Sequence, residues 1–151
     1  IVSHELVHAL QDQHFDLDKV LPARLYAENE DAALAHKSIV ESEANLVSYA
    51  HVFRTDLDSF VQRNLLLEYL LGTSWMTVAL ALVTNQGSAS FYTKVLTLQY
   101  FHGMAFLQQV ANRGDGYEGV TRAYLGGLPD STEQLLWPEK LTAAGGSATK
   151  L

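Results

Sequence analysis

The segment Ser3-His4-Glu5-Leu6-Val7-His8-Ala9-Leu10-Gln11 constrains the chain most. Its His-Glu-x-x-His spacing works only on a helix, where residues four apart lie one above the other on one face. Two imidazoles so placed can share one Zn²⁺, each through a ring nitrogen. Glu5 lies about 100° round the helix from His4, which suits it to take a proton from a water rather than to ligate. Val2, Leu6, Val7, Ala9 and Leu10 are apolar, which predicts a helix set in the core. Two histidines and a glutamate in such a helix need partners, and a metal would supply one.

A zinc bound by two histidines lacks a protein ligand, and a carboxylate commonly fills the place. Residues 37–50 read as a helix with Ile39, Val40, Leu46, Val47 and Ala50 available to the core. Glu41 sits among them and is the candidate third ligand. Glu43 is its rival, but a helix turns about 200° between the two, so both cannot face one metal. Asn45, one turn after Glu41, is placed to hydrogen-bond a ligand histidine. His14 also competes, because its ten-residue distance from His4 is a three-histidine ligand spacing. That arrangement needs a sharp turn after His8, and Gln11 stands where glycine would make it.

The 151 residues predict one domain with its own core, placed at 1–142, followed by a disordered tail at 143–151. A net charge of −7 and the lack of any basic cluster predict no nucleic-acid partner and no anionic membrane surface. Without cysteine there are no disulfides, thiolate zinc sites or cysteine nucleophiles. The first residue is Ile1, not Met, which predicts a piece of a longer chain.

Helical patterns account for most of the rest. The first helix is expected to end near Gln13, with a turn over residues 14–18. Pro22 predicts the first turn of a helix reaching Ala35, and a further helix is expected over residues 54–71. Residues 65–83 are apolar enough to span a bilayer, but Glu68 and Gly72-Thr73-Ser74 interrupt them, predicting two short core helices and no membrane span. Asn85-Gln86-Gly87-Ser88 marks a break. Helices are expected over residues 91–112 and 117–124, separated by Arg113-Gly114-Asp115-Gly116. Asp130 or Ser131 then caps a short helix, with Glu133 at capping-box spacing from Asp130, and Pro138 stops it. The fold class is mainly α, with about six helices.

His4-Glu5-Leu6-Val7-His8-Ala9-Leu10-Gln11-Asp12 resembles the active-site helix of thermolysin-like metallopeptidases. Glu41 with Asn45 resembles the Glu-x-x-x-Asp of the broader gluzincin group, with Asn for Asp. Glu41-Ser42-Glu43-Ala44 is similar to the sequence around the glutamate ligand in aminopeptidase relatives. The chain is also similar to a little-characterised bacterial family of predicted zinc peptidases. That similarity covers residues 4–17 (HELVHALQDQHFDL), residues 40–46, Tyr100-Phe101-His102-Gly103, Pro129-Asp130-Ser131-Thr132-Glu133-Gln134 and Pro138-Glu139-Lys140, and is weak over residues 55–90.

The resemblance implies a zincin-like helical core whose preceding sheet is missing. It implies a zinc metallopeptidase acting on a peptide or protein substrate, with His4, His8 and Glu41 as ligands and Glu5 as base. An oxyanion donor is also needed, and Tyr100 and His102 are candidates because either side chain can donate a hydrogen bond. The alternative is a non-catalytic helical module with a structural or relic metal site. A ferritin-like di-iron bundle requires a second Glu-x-x-His, which the sequence lacks.

Overall fold

The computed structural model describes residues 2–62, 102–113 and 116–142. Every regular element among them is helical, and none is a strand. In chain order they are α1 (Val2–Phe15), α2 (Leu17–Val20), α3 (Ala23–Glu28), α4 (Glu30–Phe53), α5 (Leu57–Gln62), α6 (Gly103–Asn112), α7 (Tyr117–Tyr124), α8 (Thr132–Leu136) and α9 (Glu139–Thr142). The mainly α expectation therefore holds, though five of the nine segments have six residues or fewer. The expectations for residues 65–83, 85–88 and 143–151 lie outside the described residues. Among the described residues no helix is long and apolar enough to cross a membrane.

The 24-residue α4 is the axis of the fold, with α1 and α6 as its main neighbours. The helix expected from Pro22 to Ala35 is instead two helices. Pro22 precedes α3 as expected, but Asn29 ends it and begins α4 by accepting a hydrogen bond from the Ala32 amide on its side-chain oxygen. An N-cap asparagine satisfies an amide that has no partner inside the helix, so a break costs little there. Downstream, the helix expected over residues 37–50 is the continuation of α4, which Arg54 closes in a left-handed conformation. Ile39, Val40, Ala44 and Leu46 are buried on different sides of α4, as expected of a helix surrounded by others. Ile39, Val40 and Leu46 form one core cluster with Phe60, Met104, Phe106, Leu107, Val120 and Leu135.

α1 corrects the expectation of a core helix. Its inward stripe is His4, Val7, His8 and Gln11, and only Val7 and Gln11 are buried. Val2, Leu6 and Leu10 point outward and are exposed. α1 packs on α4 along this side, where three of the four residues are polar.

α6 reaches α4 where both helices are small. A Cβ on Gly103 would lie 2.2 Å from Ser42 Oγ and 2.4 Å from the Ser38 carbonyl oxygen. The hydroxyl can rotate away, but the carbonyl belongs to α4's backbone and cannot. Gly103→Ala is expected to destabilise the fold by about 3 kcal/mol, at the upper end of the usual cost of overpacking. Urea unfolding followed by circular dichroism measures it; an unchanged midpoint would refute this close approach.

Candidate metal centre

α1 and α4 bring His4, His8 and Glu41 together. The His4 and His8 Nε2 atoms are 3.0 Å apart, and Glu41 Oε2 lies 3.3 Å from the first and 3.8 Å from the second. Among the described residues these are the one group of three or more ligating side chains close enough to hold a single ion. A tetrahedral zinc with bonds of about 2.0–2.1 Å holds its donor atoms about 3.3 Å apart. The three observed edges bracket that value, so the donor set fits zinc in identity and in size. Each side chain keeps about a fifth of its surface exposed, so the cluster opens to solvent.

The rivals of Glu41 are placed elsewhere. α1 continues through His14 to Phe15, so the chain does not turn back after His8, and the His14 side chain is exposed. The turn comes two residues later, at Asp16, which takes a left-handed conformation that short polar residues tolerate. Glu43 is 3% exposed and faces a different set of partners. It accepts hydrogen bonds from Gln11 Nε2 at 2.7 Å and from the Tyr117 hydroxyl. Of the other residues, Glu5 is exposed beside His4 in the first turn of α1. His102 is half-buried at the start of α6 and stands outside the group of three, and burial pushes its pKa below the ordinary imidazole value. Tyr100 lies outside the described residues.

The histidines have an outer partner that differs from the expected one. Asn45 makes no hydrogen bond to His4 or His8. Gln11 occupies that role, with Oε1 2.7 Å from His8 Nδ1. Its Nε2 also reaches the Val40 carbonyl at 3.0 Å and the Tyr124 hydroxyl at 3.3 Å. Tyr124 stacks on Phe15 with ring centroids 4.3 Å apart, which ties α7 to the end of α1. One sequence signal pointed to Gln11: it falls at i+7 from His4 and i+3 from His8, a polar residue on the stripe that faces inward. Nothing in the sequence linked Tyr117 and Tyr124 to Glu43, because helix α7 arrives there only by folding.

Burial raises the pKa of both phenols well above its ordinary value, and the Glu43 carboxylate they adjoin adds to the shift. In the unfolded chain both would ionise near pH 10, while the folded chain keeps their protons above it. The folded state then binds more protons, so this stability is complete below about pH 10 and is lost as pH rises further. The expected slope is about 1.4 kcal/mol per pH unit for each phenol, and Tyr117→Phe should remove one share. Urea midpoints between pH 8.5 and 11.5 measure it, and an equal slope in the variant would count against Glu43 and burial as the cause.

Comparison with known proteins returns nothing. No family model, curated protein or solved structure matches the chain significantly.

Proposed function

We propose that the chain carries the metal centre of a zinc-dependent peptidase of the gluzincin type, built on a zincin-like helical core. The observation that carries this reading is the triangle of His4 Nε2, His8 Nε2 and Glu41 Oε2, whose edges suit three corners of a zinc tetrahedron. All three side chains are partly exposed, which would leave a bound zinc accessible to water and substrate, as catalytic rather than structural sites require. Bound there, zinc would polarise the scissile carbonyl and acidify the attacking water.

The remaining chemistry falls to the chain's own side chains. His4, His8 and Glu41 would hold the ion. Glu5, exposed in the next position after His4, would take the proton from the attacking water and later deliver it to the leaving amine. His102, which burial favours as a neutral ring, and Tyr100 remain the proposed donors to the developing oxyanion. The substrate class is a peptide or protein.

The deciding measurement is zinc per chain by elemental analysis. Six histidines can bind metal adventitiously, so His14→Ala serves as the control. One zinc in both wild type and His14→Ala supports the reading, and a well-folded wild type without stoichiometric zinc sinks it. One zinc with no peptidase activity would favour the non-catalytic module.

A further inference from the structure

The side-chain amide of Gln11 has its two ends assigned by its surroundings. Glu43 Oε2 and the Val40 carbonyl oxygen are acceptors, at 2.7 and 3.0 Å from one end, so that end is the NH₂ group. The other end is then the amide oxygen, and it faces His8 Nδ1 at 2.7 Å. An amide oxygen only accepts, so His8 Nδ1 must carry a proton. In the neutral ring Nε2 then keeps its lone pair, and Nε2 is the atom directed at His4 and Glu41.

We infer that Gln11, held by Glu43, is a positioning residue that fixes His8 as the Nδ1–H tautomer. A free imidazole in water favours the opposite tautomer, with its proton on Nε2, where it would block metal binding. The hydrogen bond made by one ring nitrogen decides which form is present. Glu43 and the Val40 carbonyl together keep the amide from rotating by half a turn. Rotated, Gln11 would turn its oxygen to a carboxylate and its NH₂ to His8, imposing the wrong tautomer. Tyr117 holds the other oxygen of Glu43, so α7 completes the ligand geometry of a centre built by α1 and α4.

The role in metal binding rests on the proposed zinc centre, but the tautomer can be read without metal. Long-range ¹H–¹⁵N correlation spectra of the chelator-treated full chain at pH 8.5 report it, with His8 assigned from the signals missing in His8→Asn. A proton on His8 Nδ1 is the expected result, and a proton on Nε2 overturns the inference. Gln11→Leu removes the acceptor from His8 Nδ1, so its His8 should move toward the Nε2–H form. Its zinc affinity should fall by about 10–100-fold, the usual cost of losing an outer partner. A merely structural Gln11 would lower stability and leave the His8 tautomer unchanged, which also overturns the inference. If Gln11→Leu does not fold, the wild-type spectrum alone decides. Nδ1–H on His8 in a chain without stoichiometric zinc would overturn the centre and leave the tautomer assignment standing.

Discussion

Glu41→Ala is expected to lose its zinc while staying folded. The side chain is partly exposed, so its removal leaves no large cavity in the core. It is the only carboxylate of the proposed three-residue donor set, and without it only two imidazoles remain. Loss of a mere outer partner costs about 10–100-fold in metal affinity, so loss of this ligand should cost about 100-fold or more. Glu43 cannot substitute, because Gln11 and Tyr117 engage its oxygens and it lies on another side of α4. Elemental analysis after dialysis, beside circular dichroism, gives the answer. Zinc that persists in Glu41→Ala but disappears in His14→Ala would move the centre to the three-histidine arrangement.

The second large effect is expected at Glu5. Glu5→Gln preserves the size of the side chain and removes its ability to accept a proton. The variant should therefore retain stoichiometric zinc and lose peptidase activity by about 10²–10⁴-fold, the usual range for general acid–base catalysis. That equals roughly 3–5 kcal/mol of barrier. An exposed surface glutamate without a catalytic role predicts no change in either quantity, so the two readings separate cleanly. The assay compares cleavage of an unstructured protein substrate by wild type and variant at equal zinc occupancy. Retained peptidase activity in the variant would remove Glu5 as the base.

Much of the local architecture was legible before folding. The helix at Tyr117–Tyr124 has the predicted bounds, with Gly116 as its N-cap at a positive φ that glycine takes without steric cost. The expected cap at residue 130 or 131 is Ser131, whose side-chain oxygen accepts from the Gln134 amide. Elsewhere one local signal outweighed another. Good helix formers on both sides of Asn29 hid the boundary that its capping oxygen makes. α1 runs past Gln13 to Phe15 because helical hydrogen bonding continues until Asp16 turns left-handed. The inward face of α1 is illegible in the sequence for another reason. Counting apolar residues did not reveal that its histidine stripe faces α4 while Val2, Leu6 and Leu10 face outward.

The sequence by itself determined the helical class and the pairing of His4 with His8, since a spacing of four residues has one geometric outcome on a helix. It also narrowed the third ligand to a short set. Only tertiary structure brought Glu41, of that set, beside the two histidines, because the placement depends on how α4 is rotated about its axis where it meets α1. The same rotation turned Glu43 toward Tyr117 and Tyr124, 74 or more residues along the chain, and gave the role expected of Asn45 to Gln11. Periodicity specifies which residues share a face of one helix. Which face meets which neighbour is settled by packing the whole core.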